Sequence, residues 1–206
     1  LGLDWQETYR AILDDLAAKR LRLIAYWDDI QPAADRFDFS GLDWQINAAE
    51  KSGVKVILAV GMKLPRWPEC HVPGWVRQNI EFEKALLNYV KTVVERYQDS
   101  PAVEMWQLEN EPFFKCGECP VISSALVKKE IGAVRSLDER PVLISDSGEI
   151  GTWFGAARLG DRVGTTMYRR TWKRGIGYFN YILPARFYEK KAKLIKKLFG
   201  DEVIVV

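Results

Sequence analysis

The sequence has no glycine-rich phosphate loop. Neither G-x-G-x-x-G nor G-x-x-x-x-G-K-[ST] occurs in its 206 residues, so the signature that a nucleotide-binding doubly wound sheet carries after an early strand is missing. No uninterrupted apolar run approaches the roughly 20 residues needed to cross a bilayer, and residues 1–5 lack the basic head and apolar core of a secretion signal. Leu1 is not an initiator methionine, so a leader or anchor upstream of it stays open. Charge of one sign is not in excess either. Thirty basic and 28 acidic side chains leave a net charge of +2, which gives no electrostatic reason to expect nucleic acid or an anionic membrane as a partner. Histidine is reduced to one residue and cysteine to three, and the single C-x-x-C at Cys116 and Cys119 is a weak metal signal.

What the chain does have is apolar and aromatic side chains. At 48% hydrophobic it has enough to bury a core, and its length fits one domain over 1–206. Eight Trp and eight Tyr offer flat faces with a polar handle, suited to a core and to pockets that hold sugar rings.

Periodicity alternates along the chain. Amphipathic spacing predicts helices over 4–19, 40–51, 79–97, 124–137, 152–159 and 184–199. Between them, apolar runs predict strands over 21–27, 54–60, 103–108, 141–146, 162–168 and 202–206. Ser40 is expected to cap the second helix and Gly53 to end it. Near-continuously apolar strands alternating with helices imply a parallel sheet covered by helices, either closed into a barrel or doubly wound and open. The barrel is favoured, because polar and aromatic residues cluster after several strands rather than after one: Trp27 to Asp29, Gly61 to His71, Asn110 to Cys119, Asp146 to Trp153, and Tyr168 to Trp172.

Asn110-Glu111-Pro112, behind Trp106 at the end of an apolar strand, then supplies a family resemblance. So do Leu21 to Ile24 with Tyr26-Trp27, the phrase from Gln31-Pro32 to Arg36-Phe37-Asp38-Phe39, the strand Lys55 to Leu58, and Met167-Tyr168. Together these resemble the clan of (β/α)8 retaining glycosidases that includes cellulases, mannanases and β-galactosidases. The resemblance implies an α/β fold, an incomplete TIM-like barrel holding about strands two to seven of eight, and hydrolysis of a β-linked carbohydrate without a cofactor. It implies Glu111 as the general acid/base, Asn110 as the partner of the sugar 2-hydroxyl, Arg22 beneath the nucleophilic carboxylate, and Tyr168 as a donor to that same carboxylate.

The clan's nucleophile, a second Glu at the C-terminal end of the seventh strand, has no counterpart. The chain reaches Val206 without one, Glu202 stands at the wrong end of its strand, and Glu109 and Glu149 match no clan position. Truncation is the expected reason, with an incomplete barrel that pairs with another copy through open sheet edges as the alternative. A catalytically inactive carbohydrate-binding scaffold is the competing function.

Trp27, Trp67, Trp106, Trp153 and Trp172 are the aromatics expected to meet sugar, each with core packing as its plain alternative. His71 is expected to contact sugar or to be a satisfied structural residue. Cys70 with Cys116 or Cys119 forms a disulfide in one reading; free thiols, or a zinc site including His71, are the others. A disulfide would place the chain in an oxidising compartment, so a secreted or membrane-anchored exterior location is expected over the cytoplasm.

Overall fold

The computed structural model describes residues 2–76, 81–173 and 175–206. The chain begins with α1 (Trp5–Asp14), whose first turn is capped by Asp4 Oδ1 accepting the Glu7 N–H at 2.8 Å. This helix is shorter than its apolar spacing predicts, because Ala17 turns to a positive φ and leads the chain into β1 (Arg20–Tyr26). Trp27 does not end that strand; it begins a single helical turn, α2 (Trp27–Ile30).

The second α/β step follows the pattern closely. In α3 (Ser40–Lys51), Ser40 is the first helical residue rather than the cap, and its N–H goes to Asp38 Oδ1 at 2.9 Å. Gly53, at φ +64°, takes the left-handed position past the helix end and releases the chain into β2 (Lys55–Gly61). Next comes α4 (Phe82–Tyr97); the expected start at 79 and 80 lies outside the described residues. Then follow β3 (Val103–Leu108), α5 (Ser124–Arg135), β4 (Val142–Asp146), α6 (Phe154–Ala157) and β5 (Arg162–Thr165).

Beyond β5 the structure departs from expectation. The strand stops at Thr165, so Tyr168 lies three residues past it in the connecting segment. An unexpected antiparallel hairpin follows, β6 (Arg170–Lys173) with β7 (Gly177–Asn180). The turn between them uses Gly175 and Gly177, both at positive φ. The chain then forms α7 (Ala185–Phe199) and β8 (Val203–Val205).

The six long-range strands are parallel and ordered β1-β2-β3-β4-β5-β8, curled into half of a (β/α)8 barrel with helices on the outside. Alternation divides each strand between two faces. Val56, Leu58 and Val60 of β2, Trp106 and Leu108 of β3, and Val142 and Ile144 of β4 pack into the main core. Ile57, Met105 and Leu143 turn the other way, and with Ile204 and Val206 they form a small second cluster on the concave face. Arg22 is the register partner of Ile57 and shares that face. Polar side chains that continue the concave face toward the C-terminal ends of the strands therefore converge at one rim.

Candidate active site

Two tight bends end β3. Glu109 and Glu111 both adopt positive φ, +61° and +45°, a conformation that costs a non-glycine residue on the order of 1–3 kcal/mol and persists only where the surroundings enforce it. They enforce it from several sides. The Glu109 side chain folds back and accepts the backbone N–H groups of Met62 at 3.0 Å and Lys63 at 2.6 Å. It lies where a Cβ on residue 61 would stand, 2.5 Å from that position, which is why Gly61 is glycine. The Asn110 N–H reaches the Lys63 carbonyl at 2.6 Å, and the Glu111 N–H reaches Ser145 Oγ at 2.9 Å.

This turn delivers a carboxyl group to the rim. Glu111 is buried, and its Oε1 accepts the Thr166 hydroxyl at 2.8 Å. Burial pushes its carboxyl above the ordinary carboxylate range; the Thr166 hydrogen bond opposes that shift and the charge of Glu69 adds to it. Arg22 reaches across from β1 and donates from Nη2 to Asn110 Oδ1 at 2.8 Å. Burial pulls its guanidinium below its ordinary value, while Tyr168 and Glu111 pull it back up. The Nε of Arg22 is buried with no hydrogen-bond partner among the described residues. Tyr168 is partly exposed and anchored through its N–H to Glu149 Oε1 at 2.6 Å. Burial and the nearby charges of Glu111 and Glu69 push its phenol up. The four residues Arg22, Asn110, Glu111 and Tyr168 thus form one electrostatic neighbourhood.

The aromatic expectations divide. Trp67 and Trp172 are exposed, at 77% and 59%. Trp27, Trp106 and Trp153 are corrected to packing roles, because all three are fully buried and their faces are taken. Trp27 stacks on Tyr89 with centroids 5.3 Å apart, Trp106 Nε1 donates to Asp138, and Trp153 Nε1 donates to the Ser147 carbonyl under the Lys191 ammonium. His71 is buried against the Tyr26 ring with Nδ1 3.4 Å from Asp28, the geometry of its structural alternative.

Cys70 and Cys119 form a disulfide joining the loops after β2 and β3, and Cys116 remains a thiol that donates to Glu69 Oε2 at 2.8 Å. Burial and that contact push the Cys116 thiol up to about 12. With two of the three sulfurs joined, the zinc alternative loses its ligands. Among the described residues no cluster of three or more His, Cys, Asp or Glu could hold a metal.

Lys63, Ser145, Thr166 and Glu130 escaped the sequence reading. Lys63, Ser145 and Thr166 belong to types that ordinarily decorate loops, and nothing in the local pattern marks them. Glu130 did leave a signal, since it lies on the apolar stripe of Val127, Ile131 and Val134.

The family model for glycoside hydrolase family 42, described as β-galactosidase, matches residues 5–125. Mannan endo-1,4-β-mannosidase A of Emericella nidulans is 28% identical over 123 residues, a match covering 54% of this chain and 31% of that protein. The chain spans about a third of the length of the curated relatives it matches, between 31% and 34% for the first three. Among solved structures, xylanase 10B of Thermotoga maritima superposes with a TM-score of 0.71 at 18% identity, covering 100% of this chain and 66% of that one. A β-galactosidase from the haloarchaeon Halorubrum lacusprofundi gives a TM-score of 0.61 at 16% identity, covering 84% and 39%. At those identities the structural likeness speaks for the fold.

Proposed function

The chain belongs to glycoside hydrolase family 42, the β-galactosidase family, and from that premise we propose that Glu111 is the general acid/base in a retaining hydrolysis of β-glycosidic bonds in an oligo- or polysaccharide. The observation that carries this reading is the buried Glu111 carboxyl, pushed up by its surroundings, at the rim where the parallel strands end and beside Arg22 and Asn110.

In the first step protonated Glu111 gives its proton to the glycosidic oxygen as the bond to the anomeric carbon breaks, while a nucleophilic carboxylate takes that carbon. In the second, ionised Glu111 removes a proton from water, whose oxygen displaces the carboxylate. A carboxyl whose burial favours its protonated form suits the first role, and the same group, once emptied, suits the second. Asn110 binds the sugar 2-hydroxyl, and Tyr168 donates to the nucleophile. Trp67 and Trp172 are the aromatics with open faces for sugar rings.

The nucleophile belongs at the C-terminal edge of β8, next to β5 in the sheet. There the chain has Val205 and Val206, and Glu202 stands at the opposite end beside Arg162, 3.9 Å away. The unpartnered Nε of Arg22 supports an anionic group beside it on the concave face, because a buried guanidinium donor without an acceptor is costly. The competing reading is a carbohydrate-binding scaffold without hydrolysis. The Cys70–Cys119 disulfide supports an oxidising, exterior compartment, and no helix of the described residues is long and apolar enough to cross a membrane.

The test is Glu111→Gln in the full-length protein. Turnover of substrates with poor leaving groups falls by about 10²–10⁴-fold, the usual worth of a general acid, and that of activated aryl glycosides falls far less. Unchanged turnover on both dismisses the assignment, and a wild-type protein that binds oligosaccharide without cleaving it establishes the scaffold.

A further inference from the structure

Glu111 sits in a backbone conformation that its sequence disfavours twice. Its φ is +45°, and it precedes Pro112, whose ring crowds the preceding residue out of compact conformations. Something must hold it there, and two fully buried polar side chains grip the residue from opposite ends. Ser145, on β4, accepts the Glu111 N–H at Oγ, 2.9 Å away. Lys63, in the loop after β2, donates from Nζ to the Glu111 carbonyl at 2.7 Å and also to the Phe114 carbonyl.

Lys63 is an unusual residue to find at 0% exposure, since a lysine ammonium normally reaches water. Every polar atom it has is used on the Glu109 to Phe114 turn. Its N–H goes to the Glu109 carboxylate, its carbonyl takes the Asn110 N–H, and its ammonium bridges two carbonyls. The arrangement fixes Glu109, Asn110 and Glu111, with Phe114 beyond them, relative to β2, while Ser145 fixes Glu111 relative to β4.

We propose that Lys63 and Ser145 are positioning residues for Glu111, pinning its peptide groups so that the carboxyl is held at the rim in the orientation that protonates the glycosidic oxygen. This inference rests on the acid/base reading of Glu111. Neither residue touches substrate; both act through the backbone of the residue that does. The geometry is sensitive to this support, because a misplacement of about 1 Å in a catalytic group can cost on the order of 100-fold.

The experiment uses the full-length protein with Lys63→Met, Ser145→Ala and Glu111→Gln, alone and combined, on aryl β-glycosides with a poor and an activated leaving group. Lys63→Met is expected to lower kcat on the poor leaving group by about 100-fold with KM moved less than about threefold, and to spare the activated substrate. Ser145→Ala, which removes one hydroxyl and leaves the fold otherwise intact, is expected to show the same selectivity at about 10-fold. In the Glu111→Gln background both substitutions become nearly silent, because a group that acts through Glu111 has nothing left to position.

A merely structural role would give equal losses on both leaving groups and losses that multiply with Glu111→Gln, and either result overturns the proposal. So does wild-type turnover in both variants. Should Lys63→Met fail to fold, the leaving-group selectivity of Ser145→Ala decides. Glu111→Gln alone separates this inference from its premise: if it leaves turnover unchanged, the acid/base reading fails first, whereas a crippled Glu111→Gln beside normal Lys63→Met and Ser145→Ala removes only the positioning claim.

Discussion

A carboxyl group shut away from water is easier to keep protonated than charged, and Glu111 and Glu130 put that fact to different uses. Glu111 is poised at the rim. Glu130, on α5, is fully buried beside Glu109, and burial together with the negative charge of Glu109 pushes it well up. The consequence for stability has a definite sign. A folded-state pKa above the unfolded value of about 4.3 means that the native chain binds more protons than the unfolded one, so this contribution is complete below about pH 4.3 and is lost as pH rises through the folded value. Glu130→Gln carries a neutral group of the same shape at every pH and removes that loss. Its stability relative to wild type is therefore expected to rise between pH 5 and pH 8, measured by urea unfolding at both; a difference that does not change with pH would show that Glu130 does not titrate as described. At this scale the sequence spoke clearly through Asn110, Glu111 and Arg22, where a motif or a charge in an apolar strand stands out. It was silent about Lys63, because burial of a loop lysine is decided by the distant turn that accepts its hydrogen bonds.

Elements were easier to read than the segments that join them. Helix and strand periods differ enough that α3, α4, β2, β3 and β4 could be placed within a few residues from apolar spacing alone. The β6–β7 hairpin falls where the apolar pattern predicts no element, although Gly175 and Gly177 between Thr171-Trp172 and Tyr178-Phe179 are a turn signal. The disulfide lies beyond what spacing can decide, since Cys116 and Cys119 are equally near Cys70 in sequence terms and only the fold of the rim selects Cys119. That bond ties the loop after β2 to the loop after β3 across 49 residues of chain, which include α4 and β3. Constraining a loop of this size in the unfolded state stabilises a protein by about 2–4 kcal/mol. The double substitution Cys70→Ala and Cys119→Ala is expected to lose that amount in urea unfolding under oxidising conditions, while adding reductant lowers the wild type toward the variant. Wild type and variant that unfold at the same denaturant concentration would mean that the rim is held by its hydrogen bonds alone.

At the scale of the whole molecule, the sheet is half of a closed design. A full barrel has no edge strands, whereas among the described residues this sheet ends at β1 on one side and β8 on the other, with backbone donors and acceptors left open along both. The six parallel strands and their order were legible because each β-α unit writes its own period into the sequence. Their curl is legible by another route, the polar and aromatic residues gathered after several strands and the resemblance carried by Asn110-Glu111-Pro112, because periodicity by itself does not separate a barrel from an open sheet. On the concave face Ile57, Met105 and Leu143 are already buried in a small apolar cluster with Ile204 and Val206, so the open backbone groups of the edges are what a partner chain would meet. Parallel edges with open backbone groups favour pairing with another chain, and a net charge of +2 gives little repulsion to prevent it. We propose that the isolated 206-residue chain self-associates through these edges. Sedimentation velocity at rising protein concentration should show mass moving from monomer to dimer or larger. Val205→Lys, at a residue of β8 that is already 60% exposed, should return it toward monomer, because a charged side chain on an edge strand opposes pairing without disturbing the core. A chain that stays monomeric throughout, or a Val205→Lys variant that associates like the wild type, would show that β8 is not the surface through which copies meet.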